Sequence, residues 1–363
     1  MRLLSLRLRN YRNYARLELA PASGLNVFLG RNGQGKTNLL ESMALVALSA
    51  SPRARREVEL IGPLAAAADL EALVESHQRR TEVAITVSRQ GEHASRRIRV
   101  DGVARRAVDL PGILRVTLFW PEDLNLIKAG PEHRRRLLNQ VLVQIEPGYA
   151  RTLSRYGRIL EQRNQLLKQV AAGTQPRSAL ELWDSQLCEF GGELVGARAR
   201  LVEELEPVAA AMHREISAGE ELALRYLGPA ENLEQAVENS VAEDLRRGLT
   251  TVGPHRDDVG VQLNGVDARG YASQGQQRTA VISLKLAEAI LTESRTGEKP
   301  LLLLDDVLSE LDAGRRRALL ERVGGRDMAQ VIITSVDAEA FPASLMAAAD
   351  VRCIVAGTVT ACG

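Results

Sequence analysis

The sequence predicts an α/β fold, a mixed sheet with an antiparallel β subdomain, interrupted by an inserted α-helical lobe that carries an antiparallel helical hairpin. Three observations predict it. The N-terminal third alternates apolar and polar residues around short turn sequences, the C-terminal third alternates helix-like and strand-like segments, and the middle carries long apolar stripes at helical spacing. At roughly 100 to 200 residues per domain, 363 residues make about two domains, set by this pattern at 1–125 with 251–363 and at 126–250.

Leu3 to Leu8 and Leu17 to Leu19 alternate on either side of Asn10-Tyr11-Arg12-Asn13, which reads as two antiparallel strands around a turn. Leu25 to Leu29 is a short apolar strand. Asp101-Gly102 and Asn264-Gly265 are hairpin turns, since both dipeptides accept the positive φ angles of a two-residue loop. In the middle, Tyr149, Leu153, Tyr156, Leu160, Leu167 and Val170 recur in near-heptad steps, interrupted where Arg163 takes a seam position. After the turn at 173–177, a longer stripe runs through Leu180, Trp183, Leu187, Phe190, Leu194, Ala197, Leu201, Leu205, Val208 and Met212, and Pro207 predicts a kink or break in it. Packing accounts for both stripes, so they predict a helical lobe and not a partner site. The C-terminal third reads as a helix near 276–294, a strand at 300–304, a helix at 313–323 stopped by Gly324-Gly325, and a strand at 330–334, the pattern of a parallel core.

Lys and Arg total 47 against 46 for Asp and Glu, so any nucleic-acid surface is a local patch and not a whole-protein bias. Aromatic residues are 3 %, too few for a platform of stacked unpaired bases, so if the chain binds DNA, duplex is expected over single strands. Cys188, Cys353 and Cys362 form no Cys-x-x-Cys and the histidines show no ligand spacing, so neither disulfides nor structural zinc is expected, and a reducing cytoplasm fits. Met1 to Leu8 alternates like a strand, unlike a signal peptide, and no window reaches the roughly 20 apolar residues of a spanning helix, so a cytoplasmic protein without a membrane partner is expected.

Gly30-Arg31-Asn32-Gly33-Gln34-Gly35-Lys36-Thr37 matches G-x-x-x-x-G-K-T, preceded by a predicted strand and followed by a helical run from Asn38 to Leu48. The glycines let backbone N–H groups turn toward phosphate oxygens, Lys36 reaches the β and γ phosphates, and Thr37 is placed to ligate Mg²⁺. ATP with Mg²⁺ is the expected ligand; a GTPase is disfavoured because no Asn-Lys-x-Asp occurs. Leu301 to Leu304 followed by Asp305-Asp306 is the complementary half, with Asp305 on the metal and Asp306 orienting the attacking water. Ser273-Gln274-Gly275-Gln276-Gln277-Arg278 opens a helix. Ser273 and Gln276 fit a capping box, and the sequence also resembles the signature motif of ABC-type ATPases, which meets the γ-phosphate held by another subunit. Ser309-Glu310-Leu311-Asp312 resembles the D-loop of that superfamily, and Asp312 is also a plausible N-cap.

Together with Pro121-Glu122-Asp123-Leu124, Gly130-Pro131, Arg134-Arg135-Arg136 and Gly253-Pro254-His255-Arg256-Asp257-Asp258, these motifs resemble the RecF family, bacterial recombinational-repair ATPases related to the heads of SMC proteins, over nearly the whole chain. The resemblance implies an ABC-type ATPase head. It implies catalytic roles for Lys36, Asp305, Asp306 and Ser273, and nucleotide contacts along Gly30 to Asn38 and from Ser273, Gly275, Gln276 and Asp312. It further implies an ATP-dependent homodimer that clamps duplex DNA near single-strand gaps, nucleoid association, work with RecR and RecO, and help for RecA loading. Two features depart from the wider superfamily. Asp306 stands where most ABC ATPases have Glu, predicting slow hydrolysis, and Ile332-Ile333-Thr334-Ser335 ends a strand where many relatives have a γ-phosphate-sensing His. No Q-loop glutamine is assigned; Pro121 to Leu124 occupies about its place.

Arginines cluster at 53/55/56, 79/80, 96/97/99, 105/106, 134–136, 246/247 and 315–317, and any DNA contact among them is expected to read backbone phosphate and not bases. Two other readings remain at this point: a transporter-type nucleotide-binding subunit, which needs a membrane partner, and a clamp that binds ATP with negligible hydrolysis.

Overall fold

The computed structural model describes residues 1–217, 219–229, 232–324 and 330–362. In chain order the strands and helices are β1 (Arg2–Tyr11), β2 (Tyr14–Leu19), β3 (Leu25–Leu29), α1 (Lys36–Leu48), β4 (Ala67–Ser76), β5 (Arg79–Gln90), β6 (His93–Val100), β7 (Val103–Arg105) and β8 (Val116–Phe119). Then come α2 (Asn125–Lys128), α3 (Pro131–Ile145), α4 (Tyr149–Ala171), α5 (Glu181–Ile216), β9 (Leu222–Leu227), α6 (Leu233–Arg247), β10 (Asp258–Leu263), β11 (Val266–Asp267) and α7 (Ala268–Tyr271). The chain closes with α8 (Gln274–Thr296), β12 (Leu301–Asp305), α9 (Ala313–Val323), β13 (Val331–Ser335), α10 (Ala343–Ala348), β14 (Asp350–Val355) and β15 (Thr358–Ala361). Gly324 caps α9 as expected, while Gly325 lies outside the described residues.

The chain divides into two compact units, Met1–Asp123 with Arg278–Gly363, and Leu124–Gln277. The sequence boundary at 250/251 thus differs from the observed return at 277/278. The reason is pairing: β10 runs antiparallel to β9 from Asp258↔Leu227 to Leu263↔Leu222, so residues 258–263 share a sheet with the inserted lobe.

In the first unit, β2-β1-β4-β5-β6-β7 form an antiparallel sheet, and β15-β14-β3-β13-β12-β8 form a second sheet that is parallel apart from β15. Leu3, Leu6, Leu8, Leu70, Val74 and Ile85 from the first sheet and Phe28, Leu301, Leu303 and Ile332 from the second share one core with α1. Helix α1 is buried almost all round from Leu39 to Ala47, as expected of a helix packed on every side. The Asp101-Gly102 turn has φ of 50° and 77°, the left-handed pair that a tight hairpin requires.

In the second unit α4 and α5 form the expected helical hairpin. Its seam uses Tyr156, Ile159 and Leu167, so Ile159 takes the place expected for Leu160 because a 3.6-residue turn drifts against a heptad. Arg163 does not interrupt the seam. Its side chain is fully buried and donates to Asp184 of α5 at 2.6 Å, to Asp244 of α6 at 2.6 Å and to the Thr250 hydroxyl at 2.8 Å. Of the kink or break expected at Pro207, the break does not occur: α5 runs through it, with Leu201, Val202, Leu205, Ala209 and Met212 buried on both sides, and that burial offsets the roughly 3 kcal/mol cost of an interior proline.

A further correction concerns cysteine. Cys353 and Cys362 form a disulfide, with Cα atoms 5.1 Å apart, and Cys188 is free. Pairing of Cys353 with Thr360 across the β14–β15 hairpin makes Cys362 its diagonal neighbour on the same face, a proximity that linear spacing does not reveal. Among the described residues no helix is long and apolar enough to cross a membrane.

Candidate functional site

In the first unit β3 stops at Leu29 and α1 starts at Lys36, and the intervening loop is held from three sides. Gly30 N–H donates to the Ser335 carbonyl at 3.1 Å. From the β1–β2 turn, Asn13 Nδ2 donates to the Gln34 carbonyl at 2.9 Å and Tyr14 OH to the Gly35 carbonyl at 2.9 Å. From the β14–β15 turn, Ala356 N–H reaches Gln34 Oε1 at 2.7 Å and Gly357 N–H the Gln34 carbonyl at 3.0 Å. Asn38 Nδ2 donates to Asn13 Oδ1 at 2.8 Å. Two glycines are required here. Gly35 has φ of 117°, and a Cβ on it would lie 2.7 Å from Asn13 Nδ2; one on Gly30 would lie 2.6 Å from the Ile354 carbonyl oxygen.

Lys36 is 5 % exposed, and its ammonium folds back to donate to the Gly30 carbonyl at 2.6 Å and the Arg31 carbonyl at 3.3 Å. Burial lowers its pKa from the ordinary lysine value, opposed by the charges of Asp306 and Asp305. Asp305 ends β12, which is separated from β3 by β13 alone, so the loop and the acid share the carboxyl edge of a parallel sheet. Burial raises the Asp305 pKa, against hydrogen bonds from the hydroxyls of Thr37 and Thr334. Thr334 donates at 2.8 Å. Thr37 and Asp305 thus meet at this edge of the sheet. A hydroxyl and a carboxylate are hard oxygen donors of the kind Mg²⁺ takes, and the described residues hold no cluster of three or more His, Cys, Asp or Glu able to bind a metal unaided, so a cation here would complete its shell with phosphate and water.

Asp306 adopts φ of 50°, unusual for a non-glycine residue, and its N–H is fixed to the Thr334 carbonyl at 3.2 Å and hydroxyl at 3.1 Å. Ser309 Oγ donates to the Asp306 carbonyl at 2.7 Å, and Asp312 caps α9 through Arg315 N–H at 3.0 Å. Arg315 also pairs with Asp312 and donates to the Thr279 hydroxyl at 2.5 Å. Neither hydroxyl at the end of β13 is idle, since Thr334 serves Asp305 while Ser335 Oγ donates to the Asp337 carbonyl at 3.0 Å. Pro121–Leu124 forms a short 3₁₀ turn directly after β8 and Trp120.

In the second unit the capping box is present: Ser273 N–H donates to Gln276 Oε1 at 2.8 Å and Gln276 N–H to Ser273 Oγ at 3.3 Å. Gln276 Nε2 also donates to Glu220 at 2.8 Å, and Ser273 is exposed. The Gly253–Asp258 block is scaffold of this unit and not part of the nucleotide-site unit. Buried Arg198 donates to the Pro254 carbonyl at 2.5 Å and pairs with Asp257 at 3.6 Å, Tyr226 OH donates to Asp257, and Arg134 clamps Asp258 at 2.6 and 2.9 Å. Arg135 donates to the Asp257 carbonyl at 2.7 Å, so Arg134 and Arg135 serve internal bonds and not a basic surface. Other clusters are paired too, Arg79 with Asp101, Arg80 with Glu75, Arg96 with Glu57 and Arg246 with Glu243, whereas Arg97 and Arg99 stand exposed on one face of β6. The sequence reading missed Asn13, Tyr14 and the Ala356-Gly357 turn as supports of the loop; the Asn10–Asn13 turn was its one available signal.

A loop of this sequence at one strand of a parallel sheet, an acid at the next strand but one and an antiparallel sheet on the same core define an ABC-type ATPase head. The RecF/RecN/SMC N-terminal domain family model matches residues 2–353. The chain belongs to the RecF family: it is 39 % identical over 370 residues to the DNA replication and repair protein RecF of Shouchella clausii, covering 98 % of each chain, and 40 % identical over 353 residues to that of Enterococcus faecalis, covering 93 % of each. It is also similar to a solved structure of the recombination mediator protein RecF with ATP in the RecFOR pathway, with a TM-score of 0.90 and 32 % identity over 99 % of this chain and 97 % of that one. An SMC head bound to the C-terminal winged-helix domain of ScpA shares the fold, with a TM-score of 0.60 at 14 % identity over 99 % of this chain and 96 % of that one.

Proposed function

We propose that this chain is an ATP-dependent DNA-repair protein in which ATP binding closes a homodimer on duplex DNA near single-strand gaps, and slow hydrolysis reopens it. The observation that carries the reading is the convergence of Lys36, Thr37, Asp305 and Asp306 on one loop and sheet edge. Gly30 to Asn38 cradle the phosphates, and Lys36 exchanges its loop carbonyls for β and γ oxygens. Bound Mg²⁺, held by Thr37 and Asp305, would offset phosphate charge. Asp306 orients the attacking water; it is one methylene shorter than Glu, and the reading therefore includes slow turnover. Ser273, Gly275 and Gln276, at an exposed capped helix start, complete the site of a second copy, to which Asp312 also contributes.

The solved relative's place in the RecFOR pathway and the repair role of the curated relatives support partnership with RecO and RecR in loading RecA. The match over nearly the whole chain favours this reading over a transporter subunit. Single-turnover hydrolysis tests it against a purely binding clamp. Asp306→Asn is expected to bind ATP normally while cleaving it about 10²-fold more slowly; equal rates in the two proteins would remove Asp306 from the chemistry and leave a clamp.

A further inference from the structure

The disulfide lies against the phosphate-binding loop. Cys353 pairs in register with Leu29, the residue before Gly30, and the carbonyl of the next residue, Ile354, closes on Gly30. Cys362 directly follows β15, an edge strand whose ladder partner is β14. The bond therefore fastens the open end of the hairpin whose closed end, Ala356-Gly357, donates two N–H groups to Gln34. Cys188 has no such position: it sits on α5, and burial pushes its thiol up to about 11, which leaves little thiolate at neutral pH.

We propose that Cys353 and Cys362 form a thiol–disulfide site that sets the nucleotide affinity of the loop, an inference that rests on reading Gly30–Thr37 as the ATP site. Both cysteines are partly exposed and within reach of a dithiol reductant. A thiolate of that reductant attacks one sulfur, the Cys353–Cys362 bond breaks, the reductant leaves as its own disulfide, and its two thiol protons end on the two cysteines. In the reduced state β15 keeps its ladder from Arg352↔Ala361 to Val355↔Thr358 and its packing on β2, but loses the covalent tie at the open end of the hairpin, so the frame of the N–H groups that grip Gln34 loosens. A less preorganised loop binds more weakly, by about three- to tenfold.

The test is the affinity of the full chain for a fluorescent ATP analogue across a series of reduced-to-oxidised dithiothreitol ratios, with the Cys353–Cys362 link followed by peptide mass spectrometry. Affinity is expected to fall in step with loss of the link, to recover on reoxidation, and to be fixed at the low value in Cys362→Ser, while Cys188→Ser follows the parent protein. Equal affinity in the linked and reduced forms, or no link under oxidising conditions, overturns the proposal and leaves the ATP site standing. Absence of analogue binding in both forms instead overturns the reading of the loop, and this proposal with it.

Discussion

The Thr334 hydroxyl donates to Asp305 Oδ1 across 2.8 Å, and the same hydroxyl accepts from Asp306 N–H at 3.1 Å. One side chain from β13 thus sets both acids at the end of β12. Asp305 is buried, and a buried carboxylate oxygen that loses its donor costs about 1 to 3 kcal/mol. Thr334→Val is therefore expected to lower ATP hydrolysis by about tenfold or more, with Thr334→Ser retaining most of it. Hydrolysis rates over a Mg²⁺ titration check this, and full activity in the valine variant would show that Asp305 needs no such support.

Gly35 leaves no room for a side chain. At φ of 117° an alanine is strained, and with Asn13 Nδ2 2.7 Å from the Cβ position Gly35→Ala displaces the Asn13 side chain that holds the loop. Nucleotide binding measured by fluorescence should drop by at least about tenfold without loss of the folded far-ultraviolet spectrum. Parent-like affinity would mean that the turn is not part of the site.

Arg12 and Glu41 anchor that turn from behind. The guanidinium donates to both carboxylate oxygens, at 2.9 and 2.7 Å, and Glu41 is fully buried on α1. Arg12→Met leaves the carboxylate in the core without its cation, which is expected to cost about 3 kcal/mol in urea unfolding. A change below about 1 kcal/mol would mean that solvent or neighbouring hydroxyls replace the arginine.

His255 supplies a pH test. Its ring lies between Tyr156 OH at 2.7 Å and the Thr250 carbonyl at 3.0 Å, and burial holds its pKa below the ordinary histidine value. Between that depressed value and about 6.5 the unfolded chain binds the proton and the folded chain does not, so stability is full at neutral pH and is lost as pH falls through this window. Unfolding free energies measured in urea from about pH 7.5 to about pH 5.5 should fall more steeply for the parent than for His255→Asn, by up to about 1.4 kcal/mol per pH unit. Parallel curves would show that His255 contributes nothing to the acid sensitivity.

The elements with strong local signals were legible: the hairpins with Asn-Gly or Asp-Gly turns, the strand–loop–helix at 25–48, the acid-tipped strand and the Ser273 capping box. What was not legible depends on contacts between distant segments. Arg163 is polar on an apolar stripe, and its role appears only when α5 and α6 bring Asp184 and Asp244 to it. Pro207 sits in a helix because tertiary burial outweighs propensity. The disulfide, the Gly253–Asp258 scaffold and the loop supports at Asn13 and Ala356 likewise exist through register and packing, which no spacing in the chain encodes.

In the proposed cycle ATP closes a dimer through Ser273. Sedimentation of the full chain with no nucleotide, ADP or ATP, each with and without duplex DNA, tests it most directly, beside Ser273→Arg. A dimer is expected only with ATP, carrying DNA, and absent in Ser273→Arg even though the variant still binds ATP. A parent protein that stays monomeric with ATP bound would contradict it and leave Ser273 as a helix cap alone.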